Sequence, residues 1–174
     1  AYIDLAAPLY YAGQKERAME LNKKSLELHP DFWNAKRGLV FMYIEKGINF
    51  QFILDYCEEQ LDPYNFDYLK VPAFRLGDVG YFMAQIGHQD EALRILDELK
   101  RRVDAGEEDI SYMWMGYISY WLDNTETAID YLEKSYEARE DFMFLINVLP
   151  EFNDEELRSN PRFQALITKL GFEI

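Results

Sequence analysis

The sequence predicts an all-α fold of stacked helical hairpins, because turn residues and small residues recur at matching intervals between helix-forming stretches. Glycines occur at Gly13, Gly47 and Gly87, at spacings of 34 and 40 residues, each shortly before a new amphipathic stretch. The pair Asp123-Asn124, which also tolerates left-handed backbone geometry, begins 36 residues after Gly87. A period in the thirties is typical of repeated α-hairpins, each of which buries its apolar face against the next.

Two further positions recur around each turn, and most of their residues are small. The position seven residues before the turn holds Ala6, Val40, Gly80 and Gly116, and the position five residues after it holds Ala18, Phe52, Ala92 and Ala128. Small side chains here let the two helices of a hairpin approach closely, while the turn glycine supplies a positive φ at the end of the first helix. The second hairpin departs from this pattern at Val40 and Phe52, so we expect it to be splayed.

In chain order, the elements are four hairpins, one connection and a terminal helix. The predicted bounds are residues 1–31, 32–63, 73–104 and about 109–140 for the hairpins, 64–72 for the connection and 141–174 for a C-terminal cap. Pro8 falls inside the first helix and should kink it or delay its start, since proline is well tolerated only in the first turn. Asn160 as N-cap, Pro161 at the first helical position and Gly171 beyond the end predict the capping helix.

The glycine and small-residue pattern resembles the tetratricopeptide repeat. The matching residues are Gly13, Ala18 and Pro30 in the first hairpin, Leu39, Tyr43, Gly47 and Asp62-Pro63 in the second, Gly80, Gly87, Ala92 and Leu96 in the third, and Gly116, Ala128 and Ser135 in the fourth. The resemblance covers residues 1 to about 140. It implies a right-handed α–α superhelix, forming a single domain over residues 1–174 of about four helical hairpins plus the capping helix.

The tail carries a second resemblance. The segment LRSNPRFQALITKLGF, residues 157–172, is similar to the closing stretch of tetratricopeptide arrays in multidomain bacterial signalling proteins. These include nucleotide cyclases, protein kinases and transcriptional regulators. The resemblance implies a regulatory C-terminal part of such a protein, and no output domain is present in this chain to which a catalytic activity could be assigned.

Composition restricts the possible partners. The net charge of −14 repels phosphate backbones and anionic lipid, so direct nucleic-acid binding is not expected. The uncharged run at residues 110–122 is too short to cross a bilayer. The clusters Lys23-Lys24 and Lys100-Arg101-Arg102 are interpreted as solvated helix ends. The single cysteine, Cys57, fits a reducing compartment, and we expect the cytoplasm, or the periplasm if a membrane span precedes the array in its parent protein.

Residues that could carry chemistry are few. His29, His88 and Cys57 are not paired at a spacing typical of metal ligands or of a catalytic dyad. No glycine-rich phosphate-binding motif or nucleophile elbow is present. We therefore predict no catalytic residue, metal or cofactor, and an enzyme is the least favoured function.

The family resemblance implies a concave groove lined by the first helix of each hairpin, where tetratricopeptide arrays bind peptides or partner segments. Its offsets select Tyr10, Tyr11, Asn34, Arg37, Phe41, Glu45, Phe74, Tyr81, Gln85, Met113, Tyr117, Tyr120 and Trp121. The set is mostly aromatic, which favours an interaction module that binds an apolar or aromatic peptide or helix. Three alternatives stay open: the aromatics pack against neighbouring helices, the groove senses a small ligand and controls an attached output domain, or the first hairpin pairs with a second copy.

Overall fold

The chain is all-helical in the computed structural model, which describes residues 3–141, 143–147 and 149–173, and no strand occurs among them. This confirms the predicted all-α class. The α-helices are α1 (Ile3–Tyr11), α2 (Lys15–Leu28), α3 (Trp33–Lys46), α4 (Phe50–Leu61), α5 (Ala73–Gln85), α6 (Gln89–Asp104), α7 (Tyr112–Trp121), α8 (Thr125–Glu137), α9 (Glu155–Ser159) and α10 (Pro161–Lys169). Short 3-10 helices span Asp62–Tyr64, Met143–Asn147 and Pro150–Asn153. The two ends of the predicted domain, and positions 142 and 148 of the predicted cap, lie outside the described residues.

The helices group into two compact units, unit 1 (Ala1–Asn65) and unit 2 (Phe66–Ile174). Each unit is built from antiparallel neighbours joined by tight turns, since α1 packs on α2, α3 on α4, α5 on α6 and α7 on α8. The prediction of a single right-handed superhelical domain stays a prediction.

In unit 1, the turn glycines behave as their spacing predicts. Gly13 and Gly47 both follow a helix end and have φ values of 78° and 63°, where a side chain would be strained. Helix α1 continues through Pro8 to Tyr11. The α3–α4 pair has the least extensive contact of the four hairpins, as predicted from the large residues Val40 and Phe52 at positions that are small elsewhere. The ring of Phe52 packs edge-on against that of Tyr43, with 5.2 Å between the ring centres.

In unit 2, missing side-chain bulk permits close helix crossings. A methyl group at Gly116 would lie 3.0 Å from Cγ of Leu132 and 3.2 Å from the carbonyl oxygen of Ala128, which confirms the predicted close approach of α7 and α8. A methyl group at Gly80 would lie 2.7 Å from Cδ1 of Ile118 and 2.8 Å from Cγ2 of Ile95. Gly80 therefore makes room for isoleucines of both α7 and α6, and not chiefly for the Ala92 position.

The tail of unit 2 continues the spacing of the second helices. Helices α6, α8 and α10 begin at Gln89, Thr125 and Pro161, which are 36 residues apart in each step. Helix α10 packs against α8, and the Asn160 side chain accepts a hydrogen bond from the Arg162 N–H at 2.9 Å. Two 3-10 helices and the short α9 take the place of a long first helix between α8 and α10, so the tail repeats only the second helix of the hairpin.

The burial of Arg102 corrects the interpretation of the cluster Lys100-Arg101-Arg102 as a solvated helix end. Arg102 is only 3% exposed. Its guanidinium donates to Glu98 at 2.8 Å, to Glu107 at 3.3 Å and to the carbonyl oxygen of Tyr68. Arg102 thus links the loop that precedes α5 to the C-terminal half of α6. The pattern of charges along the sequence does not predict this contact, because its two residues are far apart in the chain.

Candidate partner-binding surface

In unit 1, helices α1 and α3 lie side by side and bring several predicted groove residues together. The Tyr10 hydroxyl donates to a Glu45 carboxylate oxygen at 3.2 Å. The guanidinium carbon of Arg37 lies 4.9 Å from the centre of the Phe41 ring. Burial raises the pKa of the Tyr11 phenol, and the nearby positive charge of Arg37 acts in the opposite direction. The side chains from the two helices therefore form one continuous surface.

Helix α3 has apolar side chains on both faces. Its inward face contributes the buried residues Ala35, Leu39, Val40, Met42 and Tyr43. Outside this buried set, the helix carries Trp33, which is 47% exposed, and the partly exposed Phe41, with Arg37 one turn from each. A helix on a protein surface ordinarily has one apolar stripe and an opposite polar face. We call Tyr10, Tyr11, Trp33, Asn34, Arg37 and Phe41 the α1–α3 face.

Trp33 was missed by the sequence-based selection of groove residues. It lies four residues before Arg37 and eight before Phe41, so helical spacing places all three on one side of α3. That spacing was visible in the sequence. The groove positions implied by the tetratricopeptide resemblance begin at Asn34 on this helix and therefore do not include Trp33.

In unit 2, three of the predicted groove residues belong to the core, which corrects their assignment to an accessible surface. Tyr81, Met113 and Tyr117 are at most 4% exposed. The Tyr117 ring lies 5.6 Å from that of Tyr81 and 4.8 Å from that of Phe152, which comes from the last 3-10 helix. The alternative that aromatics pack against neighbouring elements therefore holds for this group, because the tail supplies a ring that covers α7.

The other predicted residues of unit 2 do not form one surface of exposed side chains. Phe74 is 57% exposed and lies beneath the Arg75 guanidinium, with 5.6 Å between that group and the ring centre. Gln85, Tyr120 and Trp121 are half-buried. The Tyr120 ring is 5.6 Å from Phe152, so the tail also covers part of this region.

Two open depressions lie elsewhere on the units. One, of about 490 Å³, is lined in unit 1 by Leu28, His29, Pro30, Asp31 and Phe32. The other, of about 700 Å³, is lined in unit 2 by Phe66, Asp67, Tyr68, Leu69, Glu91, Arg94, Asp97, Glu98 and Arg101. Neither lining includes a predicted groove residue, so the α1–α3 face does not form the wall of either depression.

Two other kinds of feature are absent from the described part of the chain. No cluster of three or more histidine, cysteine, aspartate or glutamate residues there has the arrangement needed to hold a metal ion. None of the helices there is long and apolar enough to span a membrane.

Comparisons with protein-family models, with curated proteins and with solved structures gave no significant match.

Proposed function

We propose that this chain is a non-catalytic interaction module that binds an apolar or aromatic segment of a partner protein on its α1–α3 face. One observation carries the proposal: α3 presents the exposed Trp33 and the partly exposed Phe41 outside its set of buried residues. Full burial of a large apolar side chain contributes about 1.5–3 kcal/mol relative to full exposure, so Trp33 and Phe41 can each gain a part of this free energy. A partner segment that covers them recovers this free energy.

The composition of the face favours a protein segment as its ligand. Tyr11 and Trp33 are 49% and 47% exposed, and Arg37 lies close to both Phe41 and Tyr11. Tryptophan, tyrosine and arginine are the residue types most enriched among the residues that dominate binding energy at protein interfaces. Aromatic rings also lose little rotamer entropy on binding. An apolar or aromatic side chain inserted between α1 and α3 would meet rings on both sides.

The resemblance of the tail to bacterial signalling arrays supplies the proposed biological setting. Under this proposal, the chain is the regulatory C-terminal part of a signalling or transcriptional regulatory protein, and partner binding at the α1–α3 face controls that protein. The setting rests on residues 157–172, whereas the binding proposal rests on residues of unit 1. The two can therefore be tested separately.

The binding proposal is tested by selecting random dodecapeptides displayed on phage against the chain and measuring their affinities for variants. Trp33→Ala and Phe41→Ala should each weaken the selected peptides by about tenfold or more, as expected for dominant interface residues. Phe50→Ala is the matched control, since Phe50 is 52% exposed on α4 of the same unit, and it should change affinity less than twofold. Peptides that bind all three variants equally would show that the α1–α3 face is not the binding site.

A further inference from the structure

A stacked pair of tyrosines lies in unit 2, between the start of α7 and the middle of α8. The rings of Tyr112 and Tyr131 have centres 6.5 Å apart and planes inclined by only 17°. Tyr112 is held in place through its backbone, because Glu140 accepts its N–H at 2.7 Å. Both residues are half-buried, so each remains partly accessible to solvent.

A cation already lies over both rings. The Lys134 ammonium is 5.4 Å from the centre of the Tyr131 ring and 6.0 Å from that of the Tyr112 ring. These distances lie within the range in which an ammonium is attracted to an aromatic face. Lys134 is an exposed side chain on a flexible stem. The geometry therefore shows that the tyrosine pair accommodates a cation.

Carboxylates on α6 and α8 act on Tyr131. Burial raises the pKa of the Tyr131 phenol, and the negative charges of Asp104, Asp130 and Asp97 raise it further. Asp97 pairs with Lys100 at 3.4 Å and Asp130 pairs with Arg162 at 2.6 Å, which only partly offsets this field.

The negative charge of the chain is concentrated in the same unit. The sequence from residue 66 to residue 174 contains 22 acidic and 11 basic residues, a net charge of −11, whereas residues 1–65 contain 10 and 7, a net charge of −3. Because a surface of one sign raises the local concentration of ligands of the other sign, unit 2 favours positively charged partners.

We propose that Tyr112, Tyr131 and the neighbouring carboxylates form a docking surface for a lysine- or arginine-rich segment of another protein. One cationic side chain of the segment replaces Lys134 over the rings, and its neighbours pair with aspartates of α6 and α8. Asp97 and Asp104 are seven residues apart on α6, roughly 10 Å along the helix axis. That distance matches roughly three residues of an extended chain. A second copy of this chain is a poor occupant because it carries the same large negative charge.

This surface is independent of the proposed α1–α3 site, because it uses other residues, in the other unit, and ligands of different chemistry. The probe is fluorescein-labelled octalysine, and its affinity is measured by fluorescence anisotropy at low ionic strength. Tyr131→Leu removes the π face and should weaken binding by about fivefold, in line with a cation–π contribution of about 1 kcal/mol. Tyr131→Phe keeps the π face and should bind within about twofold of the parent chain.

Lys134→Ala gives a result of opposite sign. Removing the resident cation should tighten octalysine binding by about threefold, because the peptide no longer competes for the rings. The matched control is Lys46→Ala in unit 1, which makes the same change in net charge at a lysine paired with Glu16. If Lys46→Ala tightens binding as much as Lys134→Ala, the attraction is general and the proposal fails.

Two further measurements decide between remaining outcomes. If Tyr131→Leu lowers the helical circular-dichroism signal, Asp104→Asn is used as the test variant in its place. An octalysine affinity that is unchanged in Asp104→Asn would overturn the proposal. Spermine is titrated in parallel, since it offers ammonium groups without a peptide backbone. Spermine that binds as tightly as octalysine would overturn the assignment to a protein segment.

Discussion

Phe152 is the side chain on which the packing of the tail most depends. It is fully buried, and its ring lies 4.8 Å from that of Tyr117, 5.6 Å from that of Tyr120 and 6.3 Å from that of Phe163. Its carbonyl oxygen also accepts a hydrogen bond from Arg158 at 2.7 Å. The ring therefore joins α7 to α10 through a segment that has no long helix of its own.

Phe152→Ala should destabilise unit 2 by about 3–4 kcal/mol, the range found when a buried phenylalanine is truncated and the cavity does not collapse. For a domain of this size, a loss of that magnitude corresponds to a fall in Tm of roughly 10–15 °C. Urea unfolding followed by far-UV circular dichroism and by tryptophan fluorescence measures the change, with unchanged m-value as the test that the mechanism is loss of packing.

Phe144→Ala is the matched control in the same tail. Phe144 is 45% exposed, so its truncation should cost less than about 1 kcal/mol. If Phe152→Ala costs no more than Phe144→Ala, the tail does not pack on α7 as described. Tyr117 would then be accessible, and the first-helix groove expected from the sequence would become a candidate surface again in unit 2.

Two other predictions follow from polar contacts of unit 2. Glu140→Gln should destabilise the chain by about 1–2 kcal/mol in urea unfolding. The reason is that the Glu140 carboxylate accepts hydrogen bonds from the Ser111 hydroxyl at 2.7 Å and from two backbone N–H groups at the start of α7. An unchanged urea midpoint would contradict this. Hydrogen bonds from Arg101 and then Arg102 lower the pKa of Glu98 to about 2, below its usual 4.5. The contribution of Glu98 to stability is therefore complete above its pKa in the unfolded chain and is lost as the pH falls towards 2. Glu98→Gln should consequently reduce the fall in Tm between pH 4.5 and pH 2. A wild-type slope retained in Glu98→Gln would show that other carboxylates cause the acid destabilisation.

Local residue preferences were enough to predict the helical class and several turns. Gly13, Gly47 and Gly87 adopt positive φ after helix ends because a residue without a side chain does so with the least strain, a requirement that acts within a few residues. The Asn160-Pro161 pair begins α10 for an equally local reason, since capping satisfies N–H groups of the same turn. The close approach at Gly116 was predicted in another way, from the recurring spacing of small residues.

The candidate sites were less predictable because burial is decided between distant segments. Tyr11 and Tyr117 are both first-helix tyrosines, yet Tyr11 remains 49% exposed while Tyr117 is fully buried. The difference comes from Phe152, which lies 35 residues after Tyr117 and belongs to a segment with no strong helical period. Arg102 is buried for a similar reason, since its acceptor on Tyr68 lies 34 residues earlier in the chain.

The sequence by itself determined that this protein is helical, where its glycine turns occur and that its charge is strongly negative, because each depends on composition or on neighbouring residues. Only the tertiary structure decided which aromatic side chains are exposed to solvent and which carboxylates act on Tyr131. Those outcomes depend on side chains that are dozens of residues apart and come into contact only when the helices pack.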